Sequence, residues 1–348
     1  MGGVLVPLPE SDARDCVRFG IGGRGDRHYD HLVLWGVDDI EDLKFRGGEG
    51  HCWGDGERGG GVEGNRHGGS PVREEFPAGS IPPSVPQPTP QDAPTPAALT
   101  ELARHLLADA GAPVARAVIG LPGRVDYTAG HLEHAPNLPQ SWVPHLSTRR
   151  LSEALGLPVA LANDADLAAV GEGHAGAGRG VADLVYVTLS TGVGAGVLLG
   201  GRLVHGRRSL AEAGHMILDL AALQRGEPHT FEQLASGTAL ARRAAGSGLS
   251  NPEIVAGAIV GDSDCLAILA PIIDAAAAGL RNLAYLYSPA LIILGGGLGL
   301  AGEVLYGPIR AHLAAFGPPH LSEPIRVVPA GLGDDAALVG ASAWPTGE

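Results

Sequence analysis

The sequence predicts an α/β protein whose ligand site lies at the carboxyl ends of its strands. Three observations carry this prediction. Short apolar runs of strand length alternate with longer segments of helical apolar spacing. Two of these runs, Leu157–Ala162 and Leu291–Leu294, stop on residues that suit a ligand: the first at Asn163-Asp164, the second at Gly295-Gly296-Gly297. Between them, Asp183–Ser190 is rich in β-branched and aromatic residues. It turns through Thr191-Gly192-Val193-Gly194-Ala195-Gly196 into a second strand, VLLGGRLVHG.

Taken in order, the elements follow from the same signals. Residues 46–70 are dense in glycine and nearly devoid of aliphatic side chains, so they supply no core strand. The Pro-rich IPPSVPQPTPQDAPTP reads as an extended linker or surface loop. Leu99, Leu102, Leu106 and Leu107 give Ala97–Ala110 the spacing of an amphipathic helix, and Ala115–Leu121 follows as a strand. Arg149–Leu155 is a shorter helix. Leu157–Ala162 is a buried strand, and ADLAAVGEGHAGAG after it is a helix. Cys265–Tyr287 is a long, Ala-rich helix, expected at the centre of a second domain and a candidate subunit contact. AGEVLYGPIRAHLAAF reads as a helix, Ile325–Val328 as a strand, and Asp334 as the cap of a last helix.

The polar residues at these strand ends are candidates for chemistry. A carboxylate at Asp164 can take a proton from a substrate hydroxyl within hydrogen-bond reach, with the Asn163 amide on the same hydroxyl face. Equally, Asn-Asp is a strong helix cap. The glycine turn offers backbone N–H groups to an anion such as a triphosphate, or it is an ordinary hairpin that needs glycine for tight geometry. In Glu212-Ala213-Gly214-His215 the glycine lets Glu212 and His215 converge on one polyhydroxy ligand, although a lone histidine is more often structural. The triplet Gly295–Gly297 admits a flat ring or a ribose close to the backbone.

In order and spacing these four elements resemble the ROK family, bacterial sugar kinases and related repressors. Further residues similar to family motifs are Gly120-Leu121-Pro122-Gly123-Arg124-Val125-Asp126, Pro136-Asn137-Leu138-Pro139 before Trp142, and Gly331-Leu332-Gly333-Asp334-Asp335-Ala336-Ala337. The resemblance runs from about Thr95 to the C-terminus. It implies a two-domain actin-like, hexokinase-like ATPase fold of the ribonuclease H-like class, with an interdomain cleft. The expected division is an atypical segment at 1–94, the rest of a small domain at 95–163, a large domain at 164–332, and a C-terminal helix, 333–348, that returns to the small domain. The resemblance also assigns roles. Asp164 is the general base, Asn163, Glu212, His215 and Glu232 bind sugar hydroxyls, and Asn137 and Gly123 line the same pocket. Thr191, Gly192, Gly194 and Gly196 cradle phosphates, and Gly295, Gly296 and Gly297 hold the adenosine. The implied activity is ATP-dependent phosphorylation of a hexose or related sugar or cyclitol, with Mg²⁺ as the charge-neutralising cofactor.

Two departures from the family pattern bear on this reading. The family places a zinc-binding C-x-C-G-x-x-G-C cluster before the glutamate that Glu232 matches. Here Asp219–Thr230 has no cysteine, and Cys16, Cys52 and Cys265 have no zinc spacing, so no structural zinc is expected. The family also opens on a D-x-G-x-T phosphate turn. Its echoes here are Arg18–Gly23, with glycines but no aspartate, and the preferred Leu34–Ile40, with a strand and aspartates but no glycine pair. An eroded nucleotide site, a shifted reading frame and a lineage-specific extension all account for that front segment. Erosion would make the chain a catalytically impaired, sugar-sensing regulator, the alternative to an enzyme.

Composition bounds the rest. The 348 residues suffice for two domains, and with 45% hydrophobic but only 4% aromatic residues the cores must be built from Ala, Val, Leu and Ile. A formal net charge of −14 argues against a nucleic-acid grip, and residues 1–94 contain no pair of amphipathic helices of the kind ROK repressors use on DNA. Three cysteines, no signal peptide and no apolar run of membrane-spanning length predict a cytoplasmic protein without a membrane partner. The family resemblance implies a homodimer or homotetramer.

Overall fold

The computed structural model describes residues 16–22, 29–35, 86–88, 95–109, 114–135, 138–209, 211–227, 229–316 and 324–344. At its front, β1 (Cys16–Gly22) pairs antiparallel with β2 (Tyr29–Trp35), Cys16 opposite Trp35. Strand β3 (Pro86–Pro88) lies parallel to β1, Pro86 opposite Gly20. The Pro-rich stretch therefore gives three extended residues to the edge of this sheet, a place where proline's missing N–H is tolerated. β2 runs alongside the next strand but one, and the Val37-Asp38-Asp39 turn that follows it lies outside the described residues.

Helix α1 (Ala97–Asp109) buries Leu99 and Ala103 against the sheet formed by β4 (Ala117–Leu121). A short antiparallel hairpin, β5 (Arg124–Asp126) and β6 (His131–His134), leads to α2 (Thr148–Leu155). Ser147 caps that helix by accepting the Arg150 N–H, and Gly156 ends it at φ 75°, the left-handed conformation that glycine adopts without penalty. Strand β7 (Val159–Asn163) then pairs parallel to β4, with Leu121 opposite Asn163. Ile119, Val125, Leu132, Trp142, Leu146 and Leu151 fill the core between them.

Helix α3 (Asp164–His174) starts directly at the end of β7. Its residues Ala165–Glu172 are all buried, so it lacks the polar face of a surface helix. The reason is its place between two layers. Leu167 and Val170 pack with Val118, Leu338 and Trp344, while Ala168 and Ala169 pack with Leu184, Leu198 and Ile293.

The remaining chain builds a five-stranded sheet. β8 (Leu184–Leu189) and β9 (Val193–Leu199) form a hairpin, and β10 (Arg202–Leu203) continues it. A small ribbon of β11 (Ile217–Asp219) and β12 (His229–Thr230) encloses α4 (Leu220–Gln224). Helices α5 (Phe231–Ala235), α6 (Gly237–Ala244), α7 (Asn251–Ile259) and α8 (Ser263–Tyr287) follow. Then come β13 (Leu291–Gly295), α9 (Glu303–Phe316), β14 (Arg326–Pro329) and α10 (Ala336–Ser342). The sheet order is β10-β9-β8-β13-β14, with β8, β13 and β14 parallel.

Two expectations need correction, and four helices were not anticipated. Helix α8 is long and apolar enough to cross a bilayer by length and composition, contrary to the reading that no such run exists. Its Leu269, Ile272, Ala276, Leu280 and Leu283 are instead buried in the main core. Asp334 does not cap the last helix: it sits in a 3₁₀ turn, Gly333–Asp335, and Asp335 occupies the cap position. The helices α4 to α7 went unread because they are short and their apolar residues are mostly alanine, a weak periodic signal.

Candidate active site

The site forms where β7 gives way to α3. Asn163 is buried, 3% exposed, and its side-chain oxygen accepts the N–H groups of Ala165 (2.8 Å) and Asp166 (3.2 Å). Its amide nitrogen donates to the Gly123 carbonyl, 2.9 Å away. Asn163 is thus the helix cap, and it ties the helix start to the β4–β5 turn, where Gly123 holds φ 87°. A side chain at Gly123 would strike the His134 carbonyl, which is why only glycine fits there.

Asp164, the first residue of α3, is partly buried and accepts the Ala165 N–H at 2.8 Å. Burial pushes its carboxyl up to about 6, the Ala165 hydrogen bond opposes this, and the negative charges of Asp166 and Glu212 add to it. Glu212 and His215 lie on the 3₁₀ turn Ala211–His215 with Glu212 Oε2 3.1 Å from His215 Nε2. The turn presses against β9: a side chain at Gly214 would strike the Val193 carbonyl. That contact brings the Glu212–His215 pair toward the same end of the sheet as Asp164.

The expected phosphate cradle divides in two. Ser190 to Gly192 form the turn itself, closed by the Ser190 N–H donating to the Gly192 carbonyl at 2.9 Å. Neither the Thr191 nor the Gly192 backbone N–H donates to a group among the described residues, so both suit an anion's oxygens. The turn is braced from behind, since the carbonyls of Ser190 and Thr191 accept the N–H groups of Gly237 and Thr238 at the start of α6. Gly194 and Gly196 lie instead within β9, opposite Thr188 and Tyr186. At Gly196 a Cβ would stand 2.5 Å from the Ala169 Cβ, so this glycine serves the close approach of β9 to α3.

Glu232 is the second residue of α5, and its Oε2 accepts the Val193 N–H at 3.0 Å. A Cβ on Gly192 would meet the same oxygen at 2.5 Å. The glutamate expected on the sugar therefore also braces the Ser190–Gly192 turn. At the end of β13, Gly296 has φ 78° and Gly297 is exposed, with open space where a Cβ would stand. Gly295 is needed for packing, because a side chain there would strike the Tyr186 hydroxyl. Asn137 lies outside the described residues.

The structure also brings in residues that the sequence reading missed. Asp166, fully buried, accepts the Tyr127 hydroxyl at 2.7 Å, and that same hydroxyl accepts the Asn163 backbone N–H at 3.1 Å. Glu172, also fully buried, accepts three backbone N–H groups, from Ala177 (2.7 Å), Gly331 (2.9 Å) and Leu332 (2.8 Å). It fastens α3 to the loop before α10. Acidic residues inside an otherwise apolar helix were the available signal. Two histidines near the segment where the family's zinc cluster would lie are each paired with a carboxylate: His215 with Glu212, and His229 with Asp219 at 3.6 Å.

The sequence and the fold that carry these residues match known proteins. The sequence profile of the ROK family covers residues 81–348. The glucokinase of Thermotoga maritima is 33% identical over 248 residues, 64% of this chain and 77% of its own length. That of Halalkalibacterium halodurans is 30% identical over 243 residues, 64% of this chain and 73% of its own. Among solved structures, a ROK family glucokinase from Streptomyces griseus in complex with glucose and AMPPNP superposes with a TM-score of 0.60. It is 32% identical, covering 72% of this chain and 88% of its own. A ROK family transcriptional regulator reaches 0.63 at 25% identity, over 71% and 66% of the two chains. The actin-like fold, the profile and the glucokinase relatives lead to one conclusion: this chain belongs to the ROK family and is a sugar kinase.

Proposed function

We propose that the chain transfers the terminal phosphoryl group of ATP to a hydroxyl of a hexose, or of a close analogue such as an amino sugar or cyclitol, with Asp164 as general base. The single observation that supports this most is Asp164 itself: a partly buried carboxyl at the end of β7, pushed up to about 6 by burial and raised further by the Glu212 carboxylate. A base with that proton affinity is ionised at neutral pH yet strong enough to accept a proton. As the acceptor oxygen attacks, its O–H proton passes to Asp164, the new P–O bond forms, and the bond to the ADP oxygen breaks.

The residues present fit ATP. The free N–H groups of Thr191 and Gly192 suit phosphate oxygens, and the open space at Gly297 suits a flat base or ribose. Mg²⁺, when bound with the nucleotide, would neutralise charge on the phosphates. Glu212, His215 and Glu232 would orient the acceptor, with Gly123 at the pocket wall. Asn163 contributes through its cap and its remaining amide hydrogen. We also infer that residues 95–163 and 164–332 act as two halves that close over the sugar and exclude water, a step that protects the phosphate from hydrolysis.

Asp164→Asn tests the reading. Removing a general base costs about 10² to 10⁴ in rate. A variant that phosphorylates the best acceptor from a panel of hexoses, amino sugars and cyclitols as fast as the parent would end the assignment. Activity of the parent should rise with pH through about 6, as Asp164 ionises. A second reading, a sugar-binding regulator with impaired catalysis, draws support from the family profile's start at residue 81, beyond the region where the phosphate turn is expected. Calorimetry that finds sugar binding without nucleotide binding would favour it.

A further inference from the structure

The buried carboxylate two residues beyond Asp164 has no part in the mechanism above, and its surroundings are unusual. Asp166 is fully buried. One oxygen, Oδ2, receives the Tyr127 hydroxyl at 2.7 Å, and the other, Oδ1, has no hydrogen-bond partner among the described residues. An ionised or neutral carboxyl held this way is costly unless it does something for the fold or the site. Of its hydrogen-bond partners Ser209 and Tyr127, Tyr127 is the group that accepts the backbone N–H of Asn163 at 3.1 Å. Asn163 and Asp164 are consecutive, so the chain Asp166–Tyr127–Asn163 closes a ring around the peptide that carries the base.

We propose that Asp166 is a positioning residue for the phosphoryl transfer: through Tyr127 it fixes the Asn163–Asp164 peptide, and as a buried like-charged neighbour it sets the pH window in which Asp164 acts. The proposal deepens the functional reading above and rests on Asp164 being the base. Charged and titratable groups face this pair from each surrounding element. Tyr127 comes from the β5–β6 turn and His205 from the loop after β10, its ring edge-on to Tyr127 at 4.9 Å. Glu212 comes from the 3₁₀ turn, and Ser209 adds a hydroxyl. Burial pushes Asp166 up to about 6, against the hydrogen bonds of Ser209 and Tyr127 and the attraction of His205. The buried charge of Asp166, two residues on, raises Asp164.

The experiment uses the full chain with Asp166→Asn, whose amide oxygen still accepts the Tyr127 hydroxyl while the charge is gone. The expected result is that the acidic limb of kcat/KM moves to lower pH by about half a unit or more, with kcat at pH 8 within about tenfold of the parent. An acidic limb that stays where it was overturns the proposal. A ¹³C-carboxyl titration of Asp164, its resonance assigned with Asp164→Asn, gives the same answer without turnover. If the parent turns over no acceptor, the base assignment fails, while the titration still decides whether Asp166 moves Asp164. Should Asp166→Asn fail to fold, Tyr127→Phe takes its place. It should lower kcat by about tenfold or more while the KM for sugar stays within about twofold, and an unchanged kcat overturns the positioning role.

Discussion

The two carboxyls at the start of α3 make a prediction about stability as well as rate. Asp164 and Asp166 are both raised to about 6, burial being the largest cause. In an unfolded chain an aspartate titrates near about 3.9. Raised folded values mean that these groups add stability below about pH 4, and that this contribution is lost as pH rises through about 6. The carboxyls of Asp126, Glu133, Asp219, Glu253 and Asp262 are lowered, chiefly by hydrogen bonds, so their contributions vary only under more acidic conditions. Burial lowers His174, which works in the opposite direction near neutrality, so a comparison of variants is cleaner than one curve. Asp164→Asn should raise the melting temperature more at pH 8 than at pH 5. An equal offset at both would mean that the carboxyl is not destabilised by burial. A helix cap and a catalytic role were the two readings open at Asn163–Asp164. Asn163 takes the cap, and the catalytic role proposed above falls to Asp164, partly buried beside it.

At the scale of elements, the crossing of α3 and α10 controls the site's footing. The helices meet through glycine. A side chain at Gly340 would strike the Leu167 carbonyl, and one at Gly171 the Ala336 carbonyl. Backbones this close leave no room for a methyl group, and overpacking typically costs about 1–3 kcal/mol. Gly340→Ala should lower stability in urea by about that amount, and activity should fall because α3 carries Asp164 at its first turn. Full stability in that variant would show that the crossing has slack. Helix positions were largely legible from apolar spacing, as at Ala97–Asp109 and Ser263–Tyr287. The glycines of α3 and α10 were not read as contact points, because a small residue in a helix carries no sign of what lies opposite.

For the whole molecule, the sheet that includes β8, β9 and β13 and the separate core around Trp142 and Leu151 stand on either side of α3 and α10. Arg116, just before β4, donates to the Trp344 carbonyl at 2.8 Å, so the end of the chain is fastened to its first half. A ligand that bridges such halves stabilises the folded state by mass action, by about 2.7 kcal/mol at a hundred times its Kd. An active kinase should therefore gain melting temperature from glucose or another acceptor and again from a non-hydrolysable ATP analogue with Mg²⁺. A gain from sugar alone would identify a sensor. At the front of the chain, β2 is a strand beside β4.

Strand ends, glycine turns and their order are properties of the linear chain, and from them the α/β class, the family resemblance and the positions of Asp164, Glu212, His215 and Thr191–Gly192 could be read. Partners in space are not. That Glu232 grips the turn before β9, that Gly196 makes room for a helix, and that Asp166 reaches Tyr127 depend on segments far apart in sequence being folded against one another. Local pattern specifies which element forms. Only packing, which forbids a side chain in one place and leaves a carboxylate oxygen unpaired in another, decides what each residue at its end can do.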